Sequence, residues 1–238
     1  MLFKLINYIV KKVIKILKFQ SNIYYSKYAS KNYQFKILEN NLKKRSYPNY
    51  NTYKFHQKMK TFFRYERLNS GYNQNLIKFE DEFNKFKKKN LKIKNILCVA
   101  VRLGTEVHAL RNLGYNAIGI DITYPKKSKY VHYGEFENIP YADSSFDALY
   151  SNSIDHVFNL KKTIFEFDRV IKENGYLILR LMKGYEEGYK MDQAYESFAW
   201  AKRDDLVNEI KNYIDLELIE IIKISEIKFM YVFKKKNS

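Results

Sequence analysis

The sequence predicts a doubly wound α/β fold: a mostly parallel, seven-stranded sheet with helices on both faces, a C-terminal antiparallel hairpin and a basic, helical N-terminal extension. Three observations lead there. From residue 93 onward, apolar strand-like runs alternate with helical runs, a pattern that builds a parallel sheet covered on both sides. The last two apolar runs, 216–224 and 227–233, lie close enough to pair as a hairpin. Charge is also unevenly spread: residues 1–95 hold 23 of the 43 Lys and Arg but only 5 of the 26 Asp and Glu. So sharp a change marks a boundary near residue 90, separating a basic extension, 1–90, from a nearly neutral domain, 91–238.

Residues 1–20 form an amphipathic helix, with Lys4, Lys11, Lys15 and Lys18 on one side and Leu5, Ile9, Val13 and Ile16 on the other. No uncharged run approaches the ~20 residues of a membrane span. Lysines interrupt the apolar stretch, which argues against a secretory signal. Two readings stay open: the helix lies on an anionic membrane surface, or its apolar face packs on the domain. Residues 21–70 are basic, rich in Tyr and Asn, and weakly periodic. Lys43-Lys44-Arg45 and Lys54, Lys58 and Lys60, with Tyr and Phe between them, suit either nucleic acid or a solvated face over an aromatic core. Residues 76–89 form a helix with Phe79, Phe83 and Phe86 on one side and a lysine-rich C-terminus that complements the macrodipole.

In the domain the expected elements are strands 95–100, 117–122, 130–133, 146–152 and 176–181, then the hairpin. Helices are expected over 105–113, stopped by Gly114, over 160–172, broken by Asn174-Gly175, and over 203–213, opened by Asp204 and Asp205. The one cysteine, Cys98, falls inside a buried strand. A small core residue in a reducing, cytoplasmic setting is expected. The four histidines, 56, 108, 132 and 156, lack ligand spacing, so no metal is expected.

Strand, loop, helix, strand and a closing acid is a layout that binds an adenosine-containing ligand. Asp121, ending the second strand, is placed to accept from both ribose hydroxyls. Ligands of open parallel sheets bind beyond the carboxyl ends of the strands. That puts Ser151-Asn152-Ser153-Ile154-Asp155-His156, after the fourth strand, beside the reacting group. His156 is the candidate general base, because an imidazole titrates near working pH; the alternative is a structural histidine packed after the strand. Tyr185, Tyr189, Tyr195, Phe198 and Trp200 are candidates to line an acceptor pocket or to form a hydrophobic cover.

Two stretches carry a resemblance. Gly134-Glu135-Phe136-Glu137-Asn138-Ile139-Pro140-Tyr141, continuing through Ser144-Ser145-Phe146-Asp147, and Arg169-Val170-Ile171-Lys172-Glu173-Asn174-Gly175 together resemble segments of the class I S-adenosylmethionine-dependent methyltransferases. The resemblance covers about residues 93–233 and implies a Rossmann-like sheet binding S-adenosyl-L-methionine. It implies Asp121 and Ile122 at the ribose, Glu135 and Phe136 at the adenine, and Ser151 after the fourth strand. In the glycine-rich loop only Gly104 survives of the common pattern; Ala100, Val101 and Arg102 fill the other positions, and Arg102, Gly104 and Glu106 match a variant form. A positive φ at Arg102 would store strain on the order of 1 kcal/mol. Cys98 replaces the usual acid, which leaves Glu106 as the nearest carboxylate for the methionine ammonium, or as a helix cap. The implied activity is methyl transfer to an oxygen or nitrogen of an unidentified acceptor, with a glycan or small molecule favoured over nucleic acid. Two other classes fit in part: a non-catalytic binding module, given the depleted glycine loop, and a nicotinamide-dependent oxidoreductase, whose Gly-x-Gly-x-x-Gly is missing.

Overall fold

A computed structural model describes residues 2–89, 91–124, 128–190 and 194–236. Helix α1, Leu2–Asn32, is followed by a hairpin of β1, Phe35–Ile37, and β2, Leu42–Arg45, then by α2, Tyr50–Ser70, and α3, Tyr72–Lys87. The alternating part runs β3 Asn95–Val99, α4 Thr105–Asn112, β4 Asn116–Asp121, β5 Val131–Tyr133 and β6 Phe146–Ser151. It continues with α5 Leu160–Val170, β7 Ile171–Met182, β8 Phe198–Trp200, α6 Arg203–Tyr213, β9 Leu216–Lys223 and β10 Lys228–Lys235.

Seven strands form one sheet in the order β5-β4-β3-β6-β7-β10-β9. Pairs from β5 to β7 are parallel. β10 runs antiparallel to both its neighbours, as the sequence predicts. The period-2 rule divides each strand between two cores. On β3, Leu97 and Val99 join the core under α5 and α6 (Ile164, Phe167, Leu206, Ile210). Ile96 and Cys98 join the core under α3 and α4 (Phe83, Phe86, Val107, Leu110). Cys98 is fully buried, and burial pushes its thiol up, which suits a core residue rather than a nucleophile.

Two elements differ from expectation. The helix expected to reach residue 172 stops at Val170, because Ile171 already pairs with Phe146 and the register then shifts before Ala148 meets Tyr176. The bulge puts Lys172 against Asp147 at 2.7 Å, and Asn174 takes a positive φ there. The hairpin β1–β2 lies where no strand was expected. Asn40 and Asn41 both have positive φ, the geometry of a tight hairpin turn. β2 pairs with β8, so the basic extension and the segment after β7 share a three-stranded sheet.

Helix α1 has two regimes. Its C-terminal half packs, with Ala29 and Tyr33 buried and Tyr25 against Phe63, His56 and Tyr195. Its N-terminal half projects: Val13, Ile14, Ile16, Leu17 and Phe19 are 45–65% exposed. Over these residues the apolar side chains do not pack on the domain. No helix among the described residues is long and apolar enough to cross a membrane.

Candidate active site

Chain direction places the site. All strands from β5 to β7 deliver their carboxyl ends to one edge, and there the loop after β3 crosses the end of β4. The loop N–H of Ala100 donates to the Ile120 carbonyl at 2.8 Å. Ala100, Arg102 and Gly104 have φ of 63°, 49° and 77°. The left-handed turns that glycines usually supply are thus made with side chains at two of three positions. The Arg102 N–H donates to Asp121 Oδ2 at 2.8 Å, a charge-assisted bond that offsets the strain. At Ala100 the strain, about 1 kcal/mol, is set against the roughly 0.4–1 kcal/mol of unfolded-state entropy that a glycine adds, so Ala100→Gly is expected to leave the urea midpoint unchanged or slightly raised. A loss of about 1 kcal/mol or more would contradict the strain.

Asp121 is 5% exposed. Its Oδ1 accepts from the Thr123 N–H and hydroxyl, both at 2.6 Å. With the Arg102 bond, three donors fix the carboxylate where it lines a narrow slot between the sheet edge and α2. Ala100, Arg102, Ile122, Phe136 and Ser153 form the sheet side of this slot. A methyl on Gly134 would lie 2.7 Å from Ile120, so the backbone there sits where a side chain cannot.

The outer wall was not foreseen. Tyr50, Tyr53, Gln57, Lys60 and Thr61 of α2 line it. They recur at three- and four-residue steps on one helical face, which is the signal that could have found them. The Tyr53 hydroxyl donates to the His156 carbonyl at 2.6 Å and Gln57 to the Tyr195 carbonyl at 3.1 Å, which ties α2 down. Behind this wall Glu135 accepts from Tyr50 at 2.8 Å, from Lys54 at 3.2 Å and from Tyr133. Burial raises the Glu135 carboxyl, but these three donors outweigh it and hold it below the usual carboxylate range. Three donors leave one of the four lone-pair positions of the carboxylate for an exocyclic amine.

His156 borders the slot near the end of β6. Its Nδ1 meets the Tyr195 carbonyl at 3.1 Å, which assigns the proton to Nδ1 and the lone pair to Nε2. Nε2 contacts the Lys60 ammonium. Burial first, then Lys60 and Arg102, push the imidazole well below its usual range, so the ring is neutral at pH 7.

Five predicted contacts do not line the slot: Gly104, which opens α4, Glu135, and three that lie elsewhere. Ser151 is fully buried, with its hydroxyl directed to the Val99 carbonyl at 3.4 Å; Ser153 takes its place in the slot. Val101 is 4% exposed, and a methyl on Gly119 would meet its side chain at 2.6 Å, so Val101 packs inward. Glu106 lies in a neighbouring pocket, 6% exposed, accepting from Asn152 at 2.8 Å; burial raises its carboxyl. Of the five aromatics expected near an acceptor, Tyr189, Phe198 and Trp200 line a pocket with Asn152 and Asp155. Tyr195 is buried against Tyr25 and His56, and Tyr185 faces a different groove. Among the described residues no group of His, Cys, Asp and Glu could hold a metal ion.

Residues 97–179 match the family described as a methyltransferase domain. The match likens this part of the chain, from β3 into β7, to methyltransferase domains. Solved structures agree in fold with this region and its flanking elements. A protein of Pyrococcus horikoshii OT3 superimposes with TM-score 0.56 at 17% identity, over 69% of this chain and 91% of that one. A methyltransferase of Thermotoga maritima gives 0.55 at 18%, over 77% and 99%. The 1,6-didemethyltoxoflavin-N1-methyltransferase of Burkholderia thailandensis, solved with its substrate and S-adenosylhomocysteine, gives 0.62 at 6%, over 86% and 100%. A search of curated protein sequences returns no match. Asp121 and Phe136 both line the slot, and Glu135 is bonded to Tyr50 of its wall.

Proposed function

We propose that the chain transfers a methyl group from S-adenosyl-L-methionine to an oxygen or nitrogen of a small or glycan acceptor. One observation carries this reading: the Asp121 carboxylate, held by the Arg102 and Thr123 N–H groups, faces the slot at the end of β4. Asp121 accepts from the ribose diol, Phe136 lies along the base and Glu135 accepts from its amino group. Gly104 lets the loop turn over the ligand. Glu106 faces the amino-acid end, where a buried carboxylate suits an ammonium. The bound cofactor supplies an electrophilic methyl on a sulfonium. The protein positions the acceptor in line and excludes water, which can supply much of the acceleration. His156, neutral and held by the Tyr195 carbonyl, takes the acceptor's proton at Nε2. The acceptor enters beside Asn152 and Asp155, under Phe198 and Trp200.

The test is incubation of the full chain with tritiated S-adenosyl-L-methionine and a panel of sugars, amino sugars and sugar phosphates. Label moves to at least one panel member, and Asp121→Asn abolishes the transfer. Label transfer unaffected by that change contradicts the assignment.

The projecting half of α1 supports peripheral attachment to an anionic membrane. Exposed Val13, Ile14, Leu17 and Phe19 alternate with Lys12 and Lys15, a composition that lies in a lipid interface. The full chain is expected to co-sediment with phosphatidylserine vesicles at low salt and to be released at high salt. A chain lacking residues 1–20 should stay in the supernatant. Equal sedimentation of both chains would contradict this.

A further inference from the structure

A second pocket of about 390 Å³ abuts the slot on the α3 side. Lys60, Arg64 and Arg67 reach it from one face of α2, at four- and three-residue spacing. Lys78 comes from α3, Arg102 from the loop after β3, and Arg180 and Lys228 from β7 and β10. Two carboxylates, Glu82 and Glu106, stand against these seven cations. Glu82 is already engaged by Arg180 at 3.0 Å. The crowding shows in Lys228, whose ammonium is pushed down by burial and then by Arg180.

The cofactor's amino-acid end does not account for this charge. It carries one ammonium and one carboxylate, so it is neutral overall, and its carboxylate needs one cation. Five elements converge on one concavity, which also argues against a merely solvated basic face. Arginines present planar forks suited to phosphate oxygens, and several act together on one polyanion. A single-stranded nucleic acid calls for a row of stacking aromatics along a groove; Phe79 is the one aromatic ring here.

We propose that this pocket binds a phosphate or diphosphate group, so that the methyl acceptor is a phosphorylated small molecule such as a sugar phosphate. The acceptor assignment rests on the methyltransferase reading; the anion site does not. Lys60 lines both pockets and contacts His156 Nε2. A phosphate in the basic pocket draws that ammonium away from the ring and leaves Nε2 open to the acceptor's proton. Anion binding and base exposure are thereby coupled.

The experiment is calorimetric titration of the full chain with pyrophosphate, with and without saturating S-adenosylhomocysteine. Pyrophosphate should bind with Kd below about 1 mM in both conditions. Arg67 and Lys78 are exposed, and neither is placed in the slot. Arg67→Gln with Lys78→Gln should weaken pyrophosphate roughly tenfold, and the Glu pair more, with the S-adenosylhomocysteine Kd unchanged. Four results would overturn the site: no pyrophosphate heat, equal binding by the variants, mutual exclusion with S-adenosylhomocysteine, or a short RNA binding far more tightly than pyrophosphate. Pyrophosphate binding without any S-adenosylhomocysteine binding keeps the anion site and removes the methyltransferase reading. Methyl transfer to an unphosphorylated sugar at the same kcat/KM as to its phosphate, with pyrophosphate bound, removes the acceptor assignment alone.

Discussion

Asp121→Asn is expected to weaken S-adenosylhomocysteine binding about 100-fold while leaving the chain folded. Hydrogen bonds from hydroxyls to a buried carboxylate contribute about 1.5–3 kcal/mol each, and the ribose diol makes two once the Thr123 hydroxyl turns away from Asp121. Asn keeps the shape and one acceptor, so Thr123 can still bond to it. Its amide nitrogen, however, meets the Arg102 N–H, which now donates to Oδ2 at 2.8 Å. A donor facing a donor loosens the loop, and part of the lost affinity comes from there. Asp121→Ala removes the acceptor outright and leaves backbone N–H groups unpaired at a 5% exposed site. That variant should also lose about 1–3 kcal/mol of stability. Isothermal titration and urea melts of the two variants separate the contributions. An Asn variant that binds like the wild type would show that the carboxylate holds the loop only.

His156→Gln is expected to lower kcat about 100-fold with cofactor affinity within about twofold, the range for loss of a positioned general base. Gln keeps a donor for the Tyr195 carbonyl but offers no basic nitrogen. The pH dependence carries a sign that tests the same ring. Its pKa is depressed by burial and by Lys60 and Arg102. The base therefore stays deprotonated below the ordinary imidazole value of about 6.5, and the acid limb of kcat lies below that pH. Stability follows linkage. A ring that resists protonation when folded stabilises the fold above about 6.5, and this contribution is lost as pH falls towards the depressed value. His156→Gln should flatten both profiles. A kcat unchanged by the substitution would leave His156 a structural residue, tied down through Tyr53 and Tyr195.

Much of the central sheet is legible in the sequence because its signals are local. β3, β4, β6 and the β9–β10 pair read directly as apolar runs, and each sits between turn residues. Asp121 was legible for the same reason: a strand that ends in an acid beside a tight loop fixes where that acid goes. Ser151 was misplaced because period-2 alternation decides which side chain at the end of β6 faces the slot; Val101, in the loop after β3, packs against Gly119 instead. The N-terminal extension hid the most. Its strands gain their meaning only from pairing β2 with β8, over 150 residues away, and three-residue strands carry no periodicity. The single local clue was the Asn40-Asn41 pair, which tolerates positive φ. The wall of the slot was hidden for a related reason. Tyr50, Tyr53, Gln57 and Lys60 form a stripe on α2, but a stripe of mixed polarity does not announce which surface it covers. The basic cluster read at Lys54 to Lys60 divides in space: Lys54 meets Glu135, and Lys60 meets His156.

The most direct test of the whole account is a crystal structure of the full chain with S-adenosylhomocysteine. The account predicts both ribose hydroxyls within about 2.5–3.2 Å of the Asp121 carboxylate oxygens, the adenine along Phe136 and its amino group at Glu135. A ligand bound elsewhere, or an Asp121 side chain turned away from the sugar, would contradict it.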